Sequence, residues 1–441
     1  MEPTREALET QLNDFDPAAR RAALEALADR AERGDIAFPE PRPAVNLHYH
    51  TFFSYNGYGY SPTAIAWRAK CDGLYMAGIV DFDVLDAVDE FLDAAQYLEL
   101  RACAGLETRV FVPSFSTRQM NSPGEPGVAY YCGLGFTSGK VRDVALLAEL
   151  KEIAQKRTLG IMERVNPYLK PVELDYTRDV IALTPNGNAT ERHLATAYDA
   201  KSRELIPEAD ARAAFWAKKL GGDAGSLERM FDDPPTFQGL IRSKTMKSGG
   251  VGYVKPEGPD FPTLERVSAF ILECGAIPAY AFLDGTTDGE QCMNELLDAA
   301  EEHGAAALNI IPDRNWNLKN ADDKKRKIAE LYKVVELAEA RDLPLCVGTE
   351  MNAYGQRFVD DFDAPELAPV VPAFLKGARI LHAHTVLQTV RGMGYLSDWA
   401  RSAFASVAEK NAFFDRLGGR LEGGCIRLPD GASPGDILGA L

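Results

Sequence analysis

Histidine is scarce in this chain, with six among 441 residues. Basic runs are missing as well. Lys and Arg number 48 against 65 Asp and Glu, a formal net charge of −17. No cluster of Lys and Arg is long enough to track a phosphate backbone, which argues against nucleic acid or an anionic membrane surface as a partner. A small phosphorylated substrate stays open, because an ion and a local arginine can reverse the field inside a pocket. No apolar run approaches membrane-spanning length, and Met1-Glu2-Pro3-Thr4-Arg5-Glu6 lacks the apolar core of a signal peptide. No membrane association is expected. The seven cysteines, at 71, 103, 132, 274, 292, 346 and 425, never adopt Cys-x-x-Cys spacing. A cysteine zinc site is therefore unsupported, and reduced thiols in a cytoplasmic protein are expected. The glycine-rich stretch 248–253, flanked by Lys244, Lys247 and Lys255, lacks the trailing Gly-Lys-Ser/Thr of a phosphate-binding loop, so nucleoside triphosphate binding is discounted. It reads as a solvated loop, with a mobile, positively charged lid as the alternative.

Against this scarcity, two of the six histidines stand one residue apart in Asn46-Leu47-His48-Tyr49-His50-Thr51. On a β-strand, positions i and i+2 share a face, and their side chains lie about 6–7 Å apart along it. Two such imidazoles can converge on one metal ion. A histidine pair satisfied within a strand is the plainer alternative.

From Val45 the sequence alternates strand and helix. The apolar run 74–80 ends in Asp81-Phe82-Asp83, and 101–106 ends in Glu107. Three times, then, a strand delivers a potential ligand near its C-terminal end, the edge where βαβ folds and closed barrels carry their sites. Residues 111–250 break the rhythm with long helical patterns and read as a mostly helical insertion. Within it, Thr190 is a candidate helix N-cap, and Arg192 could assist an anion at that helix start; Arg192 and His193 otherwise read as first-turn surface residues. The alternation resumes near 262, leading to the strand-like runs 276–285 and 306–312, the strand 345–352 and a further expected strand, 378–381, feeding a second His-x-His, His382-Ala383-His384. About seven strand–helix units result. The expected layout is an N-terminal helical preface (1–44), a barrel (45–110 and 251–400), the insertion (111–250), and a C-terminal tail packing on the barrel (401–441).

Collected at strand ends, the candidate ligands are His48, His50, Asp81, Glu107, Glu350, and one or both of His382 and His384. Imidazole with carboxylate suits zinc, manganese or iron. Each carboxylate alone also fits a salt-bridged strand end, and one of the later histidines fits a supporting or core position. The glycines two residues before Glu107 and Glu350 would permit close approach of backbones. Arg314, in the polar loop Asp313-Arg314-Asn315-Trp316-Asn317, is the candidate clamp for an anionic group; loop scaffolding is its alternative.

These motifs resemble those of the PHP family, the polymerase-and-histidinol-phosphatase class of metal-dependent phosphoesterases. Its opening Asp-Leu-His-x-His-Thr-x-x-Ser-Asp-Gly is met by residues 46–57, its Gly-Ile-Thr-Asp-His-Asp by Gly78-Ile79-Val80-Asp81-Phe82-Asp83, and its Gly-x-Glu by Gly105-Leu106-Glu107. The resemblance implies an α/β fold, a distorted (β/α)7 barrel. This chain departs from the family where Phe82 and Phe282 stand in place of motif histidines and where the late Asp-x-His is Glu350-Met351-Asn352. The departures fall on residues that complete a second and third ion. The expectation is therefore one divalent ion (zinc, manganese or iron) on His48, His50, Glu107 and Glu350, serving hydrolysis of a small phosphorylated or otherwise anionic substrate. Asp81 or His384 would handle the proton, and Arg314, Arg192 and Asn352 would hold the substrate. A metal-dependent lyase, isomerase or aldolase on a sugar-like compound is the alternative, as is a degenerate barrel that binds without turnover. Acidic charge and scattered aromatics leave a homodimer open.

Overall fold

A computed structural model describes residues 2–423, 426–429 and 431–440; Cys425 lies outside the described residues. Seven strands form one sheet in sequence order: β1 (Arg42–Tyr49), β2 (Leu74–Phe82), β3 (Ala102–Phe111), β4 (Val128–Leu134), β5 (Ile277–Phe282), β6 (Ala307–Ile310) and β7 (Leu345–Val347). All neighbours are parallel except β4, which runs antiparallel to both β3 and β5. The sheet curls until its ends meet. Just past β7, the Glu350 N–H donates to His48 O and Glu350 O accepts from the His50 N–H, both at 2.8 Å. The expected α/β fold, a distorted seven-stranded barrel, is what the chain adopts.

The strands read as near-continuous apolar runs because both of their faces are covered, by the barrel interior and by helices. The helix Leu264–Glu273 illustrates the outer layer: Thr263 caps it, and Leu264, Val267, Phe270 and Ile271 are buried. The preface contributes the helices Arg5–Gln11 and Pro17–Glu32. The second is tied to the barrel by buried Arg20, whose Nε donates to Glu90 Oε1 at 2.8 Å. Among the described residues, no helix is long and apolar enough to cross a membrane.

Two expectations change. The range 111–250 contains β4, so the helical insertion begins later, at the helix Val144–Leu169. The run Val-Ala-Tyr-Tyr-Cys-Gly-Leu is β-branched and aromatic, but its antiparallel course has no helix before it to complete a strand–helix unit. The insertion builds a core of its own, in which Val165, Tyr198, Trp216, Phe237 and Ile241 are fully buried. Residues 378–384 form no strand. They lie inside the helix Val371–Arg391, because a short apolar run is compatible with either state and here the apolar pattern extends for five turns. On a helix, positions i and i+2 point apart, which separates His382 from His384.

That helix lies directly against β7 at Gly377, where an added Cβ would sit 2.0 Å from Leu345 O. Gly377→Ala should therefore push helix and strand apart and lower stability by about 1–3 kcal/mol, the scale of core overpacking. Thermal denaturation reads this as a lower Tm; an unchanged Tm would contradict the packing.

Candidate functional site

His48 and His50 project from the C-terminal end of β1, and Glu107 from the neighbouring half of β3. Their ligand-capable atoms lie within 4.8 Å of one another. His48 Nε2 is 3.3 Å and His50 Nε2 3.1 Å from Glu107 Oε2. All three atoms are buried, and none meets a hydrogen-bond partner in proper alignment. Buried polar atoms are almost always satisfied, so three orphans facing one point call for an explanation. Ligands on one tetrahedral ion, each at about 2.0–2.2 Å, stand about 3.4 Å apart. The observed spacing fits a divalent ion held by His48, His50 and Glu107.

The surroundings aim these ligands. Asn309 Oδ1, on β6, accepts from His48 Nδ1–H at 2.9 Å, which turns the Nε2 lone pair to the shared point. His50 Nδ1 lies 3.3 Å from Ser54 Oγ, which itself donates to Asp81 Oδ1 at 2.5 Å. Asp81 also accepts from Thr51 N–H at 2.7 Å and Thr51 Oγ1 at 2.6 Å. Buried and occupied on both oxygens, it pins the turn behind His50. Burial raises its pKa, against the pull of His50 and of these hydroxyls. Phe82 stacks on the His50 ring at 4.0 Å between centroids and so fills the space beside that ligand. Close backbone approach is real at both glycines. A Cβ on Gly105 would meet Gly133 O at 2.4 Å, and one on Gly348 would meet Asn46 Oδ1 at 2.4 Å and His48 Cβ at 2.5 Å.

Glu350 stands apart from the three. Its Oε1 accepts from Arg314 Nη2 at 2.5 Å, and its Oε2 from Asn352 Nδ2 at 3.2 Å. Burial opposes its ionisation, but the Arg314 charge overrides this and keeps its pKa low. Arg314 is thereby already engaged. The same contest decides His48: burial disfavours the imidazolium, but Glu107 and Glu350 outweigh burial and raise its pKa. Glu107 in turn resists the effect of its burial and titrates far below the usual range, because His48 and His50 face it.

Above the ligands lies a cavity of about 470 Å³, within the range of small-molecule sites. Six cations line it (Arg109, Arg157, Arg192, Arg242, Lys247 and Arg314) against four carboxylates (Asp83, Glu107, Glu191 and Glu350). Arg109 and Arg157 also face buried Glu125 behind the wall, at 3.2 and 3.6 Å, so a small positive excess remains before any ion is counted. Arg192 reaches Asn352 Oδ1 at 3.4 Å. His193 is buried, not a surface residue. It completes a capping box with Thr190, whose N–H donates to His193 Nδ1 at 3.0 Å. His384 is not in the cavity. Its Nε2 faces Gly135 O at 3.1 Å, its Nδ1 accepts from Tyr395 N–H at 2.9 Å, and burial drives its pKa down to about 4. His382 meets the Ala102 backbone at 3.4 Å and is likewise pushed to about 4.

Sequence reasoning overlooked Asn309, although a polar residue in the buried run Ala-Leu-Asn-Ile is itself a signal. It also overlooked Asp83, which lines the cavity in left-handed conformation at φ +62° and accepts from Thr108 Oγ1 at 2.6 Å. Arg109, Arg157, Arg242 and Lys247 carried no local motif; only the fold gathers them.

No protein-family profile matches the sequence, and no curated protein matches it. Among solved structures, an amidohydrolase from Chromobacterium violaceum, with sulfate bound and no metal, is 17% identical. It covers 75% of this chain and 96% of its own, with a TM-score of 0.47. A protein of Bifidobacterium adolescentis, provisionally described as a metal-dependent phosphoesterase, is 15% identical over 76% of this chain and 98% of its own, with a TM-score of 0.46. At these values the chemistry of the site rests on its own residues.

The raised pKa of His48 fixes a sign. In the metal-free protein its ion pairing stabilises the fold fully below about pH 6.5 and is lost as pH rises through the higher folded value. Bound metal needs the same nitrogen unprotonated, so apparent affinity should climb through that window. Melting curves with and without chelator should diverge with opposite slopes above pH 6.5. Parallel slopes would contradict the assignment.

Proposed function

We propose that the protein is a metal-dependent hydrolase, PHP-like in its motifs, acting on a small anionic substrate through a single ion. The observation that carries this reading is the set of three buried, orphaned ligand atoms at the floor of a cation-lined cavity. His48, His50 and Glu107 would hold a divalent ion of the zinc, manganese or iron kind, which would supply Lewis acidity there and lower the pKa of water. A single ion is favoured because Phe82 occupies the flank of His50, and Phe282, which also lines the cavity, offers no ligand atom.

The protein's own groups do the rest. Asn309 and the Ser54–Asp81 pair hold the imidazoles in one tautomer and orientation. Asp81 and His384 do not reach the cavity, so the proton role passes to Asp83. Burial pushes its carboxyl up to about 6, against the Thr108 hydrogen bond and the Arg109 charge. A carboxyl poised there can take a proton near neutral pH. Its left-handed backbone, tied by Asp83 N–H to Glu107 O at 2.8 Å, fixes it beside the ligands. Glu350 stays ionised on Arg314 and keeps that guanidinium at the rim, where it can share itself with an incoming anion.

Screening metal-loaded protein against phosphomonoesters, phosphodiesters and non-phosphorylated sugars tests the reaction class. Free phosphate from a monoester, or an alcohol and a monoester from a diester, supports hydrolysis; conversion of sugars without either would move the assignment to a lyase, isomerase or aldolase. Asp83→Asn should lower kcat by about 10²-fold or more and remove the rise in activity centred near pH 6, with metal content unchanged. An intact acid limb in that variant would remove Asp83 from the mechanism.

A further inference from the structure

Three cations of the insertion meet at one wall of the cavity: Arg192 on the first turn of the helix Glu191–Leu205, Arg242 on the helix Pro234–Thr245, and Lys247 just beyond it. They share a single carboxylate. Arg242 and Lys247 both bond Glu191, and on the same oxygen, Oε1. Arg192 has no carboxylate within ion-pair distance among the described residues; its side chain donates to the neutral Asn352 amide at 3.4 Å and lies over the Tyr55 ring, 5.6 Å from the centroid. Two positive charges are therefore left over in a partly desolvated corner, where like charges repel strongly. The strain registers on the groups themselves. Burial and the neighbouring Arg242 push Arg192 down to about 10, and burial, aided by Arg242, lowers Lys247 despite Glu191. Such a cluster costs stability when empty, and an oxyanion with several acceptor oxygens would relieve it.

We propose that Arg192, Arg242 and Lys247 form an oxyanion subsite that seats a phosphate-type group of the substrate or product. The anion's oxygens would take the donors that Glu191 leaves unused. Arg314, which the sequence favoured for this task, already gives Nη2 to Glu350 and has only its remaining donors to offer. The insertion is joined to the catalytic rim by Asn188 Nδ2, which donates to Phe82 O at 2.8 Å. Thus the barrel supplies the ligands for the ion, and the insertion supplies the recognition. This inference deepens the hydrolase reading and rests on it only for the claim that the anion belongs to a substrate.

The test uses full-length, chelator-treated protein and inorganic phosphate, followed by calorimetric titration at low salt. Saturable binding is expected, weakened about tenfold or more by Arg192→Gln and by Lys247→Gln and unchanged by His48→Ala. Lys247 is half-exposed, so its variant keeps the test decisive if Arg192→Gln does not fold. Three results would overturn the subsite: no saturable phosphate binding in the wild type, affinity within about twofold of wild type in Lys247→Gln, or loss of binding in folded His48→Ala. Phosphate binding that persists in a protein taking up no metal would instead overturn the hydrolase reading and leave the subsite standing.

Discussion

Everything at the site depends on how the barrel closes. The last ladder is a pair of 2.8 Å hydrogen bonds between Glu350 and the residues His48 and His50. The backbone that seals the sheet is thus the backbone that carries two of the ligands. To make this closure, Glu350 and Met351 both adopt left-handed conformations, at φ +66° and +55°, each costing about 1–2 kcal/mol for a residue with a side chain. The two hydrogen bonds and the half-buried Arg314–Glu350 pair offset that strain. Gly348 makes the approach feasible, since any Cβ there would strike Asn46 and His48.

The closure orders the charges. With Glu350 held by Arg314, the three orphaned atoms of His48, His50 and Glu107 face one point with no fourth side-chain ligand among the described residues; these three would hold a divalent ion, which would supply Lewis acidity there. Beside them Phe82 stacks on His50 and presents a ring face without a ligand atom. The positive wall lies across the cavity, on a segment with its own core. The buried ligand atoms and the cationic wall thus belong to different parts of the chain.

The legible features were those with short sequence range. The His-x-His on an apolar strand and the Gly-x-Glu follow from short apolar runs that end in a polar residue, and the fold has both; of the seven strands expected it has six, with β4 in place of 378–381. The second His-x-His misled because spacing alone does not choose between strand and helix; in the helix Val371–Arg391 the two rings serve separate backbone groups. Glu350 was correctly placed at the barrel edge, but its partner, Arg314, could not be foreseen, since the pairing depends on two loops 36 residues apart. The cationic wall was legible only in part. Arg192 stood out at the helix start after Thr190, but Arg242 belongs to no motif, and Lys247 read as a solvated loop residue until the fold set it against Glu191.

The most direct measurement is elemental analysis of purified wild type, Glu107→Gln and Glu350→Gln after reconstitution with zinc, manganese or iron. A site built on His48, His50 and Glu107 predicts about one equivalent in the wild type and in Glu350→Gln, and loss in Glu107→Gln. Two or three equivalents in the wild type, or retention in Glu107→Gln, would contradict it.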